Sequence, residues 1–134
     1  MLDAFLVPEK TVLVAKGDGE ALDVSSAGSR IFLLTLSITS IVEQEAIDLS
    51  LFTSADGATW DTKPVASLPQ KFYPGEYPLL VDLSSSDAKL VRAHWEVNRW
   101  GRGPAAPKFE IGVRLREVSK EALQEAEAEA HTRR

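Results

Sequence analysis

Apolar and polar residues alternate with a period of two along most of the chain, which predicts β-strands rather than helices. The clearest segment is 89–98, where the apolar positions are Val91, Ala93, Trp95 and Val97. The positions between them are Arg92, His94, Glu96 and Asn98. Segment 108–117 repeats the pattern, with Phe109, Ile111, Val113 and Leu115 predicted to point inward and Glu110, Arg114 and Arg116 outward.

Other segments extend the series of strands. Segment 46–53 places Ile47, Leu49 and Leu51 on one face. Segment 31–41 is apolar on both faces at its start, which predicts a central strand covered on both sides. Shorter strands are predicted at 11–16, 20–24 and 77–83. Segment 64–75 contains three prolines and predicts an edge strand or an irregular crossing.

This makes about eight strands with turn signals between them, and the body of the chain has no helical period. We therefore predict an all-β fold: an antiparallel two-sheet sandwich of jelly-roll or related Greek-key type, with a short C-terminal helix. The sandwich is predicted to span residues 1–118. The order of the strands does not follow from the sequence.

Residues 119–134 have a different composition and are predicted to form a charged helical tail. This segment is rich in Ala and Glu, acidic at its front and basic at its end, an order that suits the helix dipole. Ser119 is a suitable N-cap. The apolar stripe of Leu123, Ala126 and Ala130 is thin, so we expect the helix to order only if something packs on Leu123.

Composition narrows the classes of function. The chain has 134 residues, 44% of them hydrophobic and 26% charged, which fits one globular domain. It has no cysteine, so thiol catalysis, cysteine-bound zinc and disulfides are excluded. The net charge of −5 disfavours nucleic acid and anionic membranes as partners. We recognise no signal peptide and no membrane span, and expect a cytoplasmic or virion-like location.

Catalytic and metal-binding motifs are lacking. The two histidines are His131, in the tail, and His94, predicted to be an exposed residue on the outer face of its strand. There is no G-x-S-x-G elbow, no histidine metal motif and no phosphate-binding loop. Acidic residues near turns either cap backbone amides or surround a Ca²⁺ ion: Asp56, Asp61, Asp82 and Asp87. We expect no enzyme activity, no cofactor and no bound metal.

Two groups of residues are candidates for contacts with a partner. The first is the glycine-framed loop 98–103, predicted to be the tip of a long hairpin, with Arg99, Trp100 and Arg102. Alternatively, Trp100 folds back over the core and the arginines pair with acids. The second group forms a cross-strand ladder if segments 89–98 and 108–117 pair: Arg92, Glu96, Arg114 and Arg116. Such a ladder is either a solvated face or a subunit contact.

The segment SADGATW, residues 54–60, predicts a strand reversal. Asp56–Gly57 makes the turn, Ser54 and Asp56 cap its amides, and Trp60 is expected to lie over the preceding strand. The motif resembles the Asp-box of sialidase-like propellers, but its spacing is one residue shorter and there is one copy.

The S-x-D-G-x-x-W pattern also resembles a hairpin of discoidin-like (galactose-binding-like) domains and of bacteriophage virion sandwiches, over about residues 49–118. That resemblance implies a sandwich that binds or assembles rather than one that catalyses. It carries over no ligand residues.

Two functional hypotheses remain. The first is a non-catalytic structural or assembly module whose partner is a second copy or another protein, bound through loops and an outer sheet face. The alternative is a carbohydrate-binding module that stacks sugars on exposed aromatic residues: Trp60, Trp100, Tyr73 and Tyr77.

Overall fold

A computed structural model describes residues 2–41, 45–99 and 108–119, and these residues form nine strands. The strands are β1 (Asp3–Leu13), β2 (Gly17–Asp18), β3 (Leu22–Asp23), β4 (Ile31–Ile41), β5 (Glu45–Ser54), β6 (Ala66–Lys71), β7 (Gly75–Asp82), β8 (Leu90–Arg99) and β9 (Phe109–Glu117). The described ranges contain no helix, and so none that is long and apolar enough to cross a membrane.

The strands form two antiparallel sheets. The first sheet has four strands in the order β1-β9-β4-β7. The second sheet has the order β2-β8-β5-β6, and β3 pairs with β8 as well, which makes five strands. The prediction of an all-β, two-sheet antiparallel sandwich is confirmed.

The alternation predicted from the sequence is confirmed in the core. In β8, Val91, Ala93 and Trp95 are buried, and the side chains between them lie on the outer face. In β9, the buried side chains are Phe109, Ile111, Val113 and Leu115. The inner faces of the two sheets meet in one apolar cluster, to which both β8 and β9 contribute. The core therefore lies between the sheets, and each sheet leaves its other face to solvent.

The N-terminal strand is longer than predicted. The sequence indicated a strand at 11–16, whereas β1 begins at Asp3 and has register shifts between Phe5 and Val7 and between Val7 and Thr11. These bulges interrupt the alternation of apolar and polar residues, so the alternation did not predict the first part of β1. The backbone of β1 passes close to Gly112 of β9, where an added Cβ would lie 3.1 Å from the Cα of Glu9.

The number of strands differs by one from the prediction of about eight. The region between β1 and β4 contains two strands of two residues each, β2 and β3, instead of one strand at 20–24. β6 lies at an edge of the second sheet, as its prolines predicted, and includes Pro69. β7, predicted at 77–83, runs from Gly75 to Asp82.

β8 and β9 do not form a hairpin, so the predicted cross-strand ladder is wrong. β8 pairs with β5 in the second sheet, and β9 pairs with β1 and β4 in the first. Arg92 and Glu96 therefore lie on one outer face of the sandwich, and Arg114 and Arg116 lie on the opposite one. β8 and β9 are thus consecutive strands that belong to different sheets.

β4 is a central strand, as predicted, between β9 and β7. Its outer face is covered only at the start. Ile31 is buried, but Leu33, Thr35 and Ser37 on the same face are half-buried. The prediction that both faces are covered is wrong beyond Ile31. The first sheet thus has an open outer face that includes apolar side chains.

Candidate functional site

The turn at residues 54–60 follows β5 and is organised by its first residue. Ser54 is buried, and its hydroxyl accepts hydrogen bonds from the amides of Gly57 (2.8 Å) and Asp56 (3.3 Å). The same hydroxyl donates to the carbonyl of Thr59 at 2.6 Å. Gly57 has a φ of 82°, the left-handed conformation that glycine adopts without penalty. The predicted roles of Ser54 and Gly57 are confirmed.

Acidic side chains near the turns accept backbone and hydroxyl hydrogen bonds. Asp56 Oδ1 accepts the amides of Thr59 and Ala58, each at 2.9 Å, and these bonds lower the pKa of that carboxyl. Asp61 Oδ2 accepts the hydroxyl of Thr53 at 2.8 Å. The described residues contain no cluster of three or more His, Asp or Glu side chains able to hold a metal. Asp56 thus caps backbone amides, as the first alternative stated, whereas Asp61 accepts a side-chain hydroxyl.

The turn sets Trp60 against the second sheet, where it meets an arginine. The guanidinium carbon of Arg92 lies 4.3 Å from the centroid of the Trp60 ring, a close cation–π contact. Arg92 belongs to β8, in register opposite Phe52 of β5. Two residues singled out separately from the sequence, Trp60 and Arg92, are thus brought together. Trp60 therefore contacts β8, the strand beside β5.

Replacing Gly57 with alanine is expected to destabilise the protein by about 1–2 kcal/mol, since alanine in the left-handed region is strained. Its Cβ would also lie 3.2 Å from Leu90 Cδ1. The matched control is Gly28→Ala, because a Cβ at Gly28 meets nothing within 4 Å. Urea unfolding of both variants is the measurement. Equal stability of the two variants would contradict the role assigned to the turn.

Beside Arg92, His94 lies between two carboxylates on the outer face of the second sheet. Its Nδ1 is 2.8 Å from Asp18 Oδ1 and its Nε2 is 3.2 Å from Glu96 Oε1. Its ring lies almost perpendicular to that of Phe52, with the ring centroids 5.8 Å apart. Burial lowers the pKa of His94, but the bonds to Asp18 and Glu96 outweigh burial and raise that pKa. The predicted outer face is confirmed, although the residue is half-buried rather than exposed.

The neighbours of His94 differ from those of a catalytic histidine. A general base in a hydrolytic triad has one ring nitrogen on an orienting carboxylate and the other on a nucleophile. Here both nitrogens face carboxylates. Ser50, opposite His94 in the ladder, has its hydroxyl 3.3 Å from the hydroxyl of Ser67. The contact between His94 and Asp18 holds β2 against β8, and the sequence did not reveal it.

The remaining predicted contact residues are scattered. Arg114, on the first sheet, is paired with Asp3, its Nε lying 2.7 Å from Oδ1, and the pair lowers the pKa of Asp3. Arg116 is exposed beside it. Arg99 ends β8, opposite Glu45 in the ladder. Trp100 and Arg102, like the tail helix predicted beyond Ser119, lie outside the described residues.

The connection between β6 and β7 presents two adjacent aromatic side chains: Tyr73, a candidate of the carbohydrate-binding alternative, and Phe72, which the sequence analysis did not single out. Tyr73 is 72% exposed and Phe72 is 38% exposed, with ring centroids 6.3 Å apart. The Tyr77 hydroxyl donates to the Tyr73 carbonyl at 2.6 Å, and Lys71 Nζ lies 5.1 Å from the Tyr77 ring centroid. These contacts brace residues 71–77, which we call the aromatic turn.

The sequence held a signal for the aromatic turn. Phe72 and Tyr73 are consecutive, so a strand cannot point both of them into one core. They also precede Pro74–Gly75, a pair typical of turns. An exposed aromatic residue next to a turn follows from these two facts.

Comparisons with known proteins give little further information. No protein-family model matches the chain, and no curated protein matches it. A similar solved structure is that of the SPBc2 prophage-derived protein YomS, at 13% identity and a TM-score of 0.44, over 85% of this chain and 88% of that one. This likeness is too weak to carry an inference about function. The resemblance to discoidin-like modules stays a prediction.

Proposed function

We propose that the chain is a non-catalytic structural or assembly module that acts as a homo-oligomer subunit or a protein-binding adaptor. The observation that carries the proposal is the aromatic turn, with Tyr73 72% exposed and Phe72 beside it. Tyrosine is enriched among the residues that dominate binding energy at protein interfaces. A loop on a rigid sandwich is a common place for such a residue.

The bracing of the aromatic turn favours binding. Ordering a flexible side chain or loop on association costs free energy, which weakens the complex. The hydrogen bond from Tyr77 and the cation–π contact of Lys71 hold this turn before any partner arrives. The aromatic turn should therefore lose less conformational entropy when a partner binds its exposed rings.

The absence of catalysis remains part of the proposal, and the surroundings of His94 support it. Its two ring nitrogens are each directed at a carboxylate, so neither is directed at a hydroxyl nucleophile. In this arrangement His94 ties β2 to β8.

The number of strands in each sheet supports the finer assignment of the sandwich as a jelly roll. Counting β2 and β3 as one interrupted strand turns nine strands into eight, four in each sheet. A jelly roll has two packed sheets that together contain eight strands. This fold alone carries no function.

The carbohydrate-binding alternative stays a prediction without a specific observation in its favour. One face of Trp60 is covered by Arg92. The Trp60 ring meets Arg92, which pairs with Phe52 of β5. Tyr73 follows the end of β6 that pairs with Ile47, five residues away along β5. The aromatic residues of the described ranges therefore do not form one platform.

Size-exclusion chromatography with light scattering tests the proposal. We expect the wild-type protein to form oligomers at micromolar concentration. We expect Tyr73→Ser to weaken their association by roughly 30-fold, the effect of losing about 2 kcal/mol at a dominant contact. The matched control is Val14→Ser, which replaces another exposed apolar residue and is expected to leave association unchanged. A wild-type monomer throughout the micromolar range would contradict the homo-oligomer, and equal effects of both variants would exclude the aromatic turn as its contact.

A further inference from the structure

The hydrogen bonds of His94 fix the charge of its ring. Asp18 Oδ1 lies 2.8 Å from Nδ1, and Glu96 Oε1 lies 3.2 Å from Nε2. A neutral imidazole has one N–H donor and one bare nitrogen, whereas the protonated ring has two donors. An ionised carboxylate only accepts, so a neutral ring would turn a lone pair toward one of these two acids. The two contacts therefore select the imidazolium form of His94.

β2 is attached to the second sheet over a short length. Its ladder with β8 has two pairs, Gly17 opposite Trp95 and Asp18 opposite His94. On the other side of β8, by contrast, β5 is paired along its whole length. The side-chain bond between Asp18 and His94 therefore joins β2 to β8 at one of the two points where these strands are paired.

Charged groups of both signs face His94 from the strands around it. From β2 the group is Asp18, and from β8 the groups are Glu96 and Arg92, whose Nε lies 3.9 Å from Asp18 Oδ1. On β5 the acid of this outer face is Asp48, in register opposite Glu96. Of these side-chain types, histidine alone ordinarily changes its charge between about pH 5 and 8. The charge of the cluster therefore changes at His94.

The proton on His94 and the attachment of β2 are thermodynamically linked. Burial opposes the charge of the ring, but the bonds to Asp18 and Glu96 raise the pKa of His94 above its ordinary value of 6.5. A raised pKa contributes stability that is fully present below the unfolded-state value and is lost as the pH rises through the folded-state value. The bond from His94 to Asp18 therefore weakens as the pH rises above 6.5.

We propose that protonated His94 is a clasp that holds β2 on the edge of β8, and that loss of its proton lets β2 leave that edge. Opening would free the carbonyl of Ala93, which accepts the amide of Gly19 at 2.8 Å. The indole of Trp95 would lose the cover of Gly17, where an added Cβ would lie 3.2 Å from the ring. β5 would stay paired with the other side of β8, so the opening is local.

The clasp controls when this edge of β8 is open to other chains. A strand edge with free main-chain N–H and C=O groups can pair with a strand of another molecule. β8 is ten residues long, whereas β2 and β3, which pair with it on this side, have two residues each. The proposal does not depend on the proposed function, because the aromatic turn follows β6, at the opposite edge of the second sheet.

Amide exchange measured by NMR tests the opening of β2. The protection factor compares each amide with an unstructured amide at the same pH, which removes the direct effect of pH on exchange. Between about pH 5.5 and about pH 8.5 we expect the protection factor of Gly19 to fall roughly tenfold, the effect of losing one charge-assisted hydrogen bond. The reference is Val24, whose amide donates to the carbonyl of Lys89 outside the clasp. Constant protection of Gly19, or an equal loss at Val24, would overturn the proposal.

Two variants test whether His94 is the titrating group. His94→Gln removes the proton, and Asp18→Asn removes the charge that His94 binds on β2. In each variant we expect the protection of Gly19 to lose its dependence on pH. The matched control is His131→Gln, the same substitution at the other histidine of the chain, which should keep the wild-type dependence. A pH dependence that survives in either clasp variant would assign the switch to another group and overturn the proposal.

The charge of His94 is measured separately, from the ¹⁵N chemical shifts of its two ring nitrogens. A histidine with the ordinary pKa of 6.5 is half protonated at that pH. We expect more than half of His94 to be imidazolium at pH 6.5. Asp18→Asn and Glu96→Gln should each lower the midpoint of this titration, because each removes one charged acceptor. A ring that is mostly neutral at pH 6.5 would overturn the proposal.

Discussion

Replacing Phe109 with alanine is expected to destabilise the protein by about 3–5 kcal/mol, as is usual for a large aromatic residue in a packed core. Phe109 is fully buried at the start of β9, opposite Leu13 of β1 and Ile41 of β4. The cavity would thus lie where three strands of the first sheet meet. Native domains have a total stability of only about 5–15 kcal/mol, so this loss is a large share. Urea unfolding monitored by tryptophan fluorescence is the measurement.

The control for this prediction is the same substitution at an exposed position of the same sheet. Phe5→Ala removes an equal number of atoms from a side chain that is 46% exposed. We expect it to cost about 1 kcal/mol, because solvent fills part of the space that it leaves. Similar losses for the two variants would contradict the location of the core between the sheets.

The second large effect is expected at Glu117, a buried acid at the end of β9. Its two carboxylate oxygens each accept one backbone amide, those of Leu2 and Ser29. In Glu117→Gln, one of the oxygens becomes an NH₂ group, which donates and cannot accept. A partly buried amide then loses its acceptor, and we expect a loss of about 1–3 kcal/mol at neutral pH. Glu20→Gln, the same change at an exposed residue, should have little effect.

The cost of Glu117→Gln should also depend on pH. The bonds from Ser29 and Leu2 lower the pKa of Glu117 below its ordinary value of 4.5. A depressed pKa contributes stability that is present above the unfolded-state pKa and is lost as the pH falls through the folded-state value. The difference in unfolding free energy between wild type and variant should therefore shrink below about pH 4.5. A difference that stays constant down to about pH 3 would contradict the role of the carboxylate.

Glu117 also shows what the period-two alternation predicts about a strand and what it does not. It falls on the inward positions of β9, in step with Phe109 and Leu115. Glu45 has the same relation to Ile47 in β5, and it too is buried, accepting the amide of Lys108 at 2.7 Å. Period-two alternation predicted the inner and outer faces of these strands. It did not predict that two acids on the inward positions would cap backbone amides at strand ends.

The period-two alternation could not predict which strands pair with each other. β8 and β9 are consecutive and both alternate cleanly, which favoured a hairpin with its charged side chains on one face. Alternation states which side of a strand faces the core, but two strands in opposite sheets of a sandwich give the same pattern as two neighbours. The separation of Arg92 from Arg114 therefore needed the three-dimensional arrangement.

The sequence predicted the local hydrogen bonds of a turn correctly, but it did not predict irregular backbone. The Ser54–Gly57 turn was predicted because hydroxyl, carboxylate and glycine act within a few residues of one another. β1 was predicted only in part, because its bulges depend on contacts with β9, distant in the sequence. The contact of Arg92 with Trp60 likewise joins residues that are far apart in the chain.

The pairing of β1 with β9 has a consequence for how the chain reaches its structure. Asp3 lies opposite Arg116, so this ladder forms only after nearly the whole sandwich has been synthesised. Among the nine described strands, β5 and β6 are the one pair that is adjacent both in sequence and in a sheet. Folding dominated by such distant pairings is slow, because the entropy of closing long loops is lost before the contacts form. A nascent chain that stops before β9 leaves β1 and β4 with unpaired edges that can join other chains, so chaperone protection matters most at that stage.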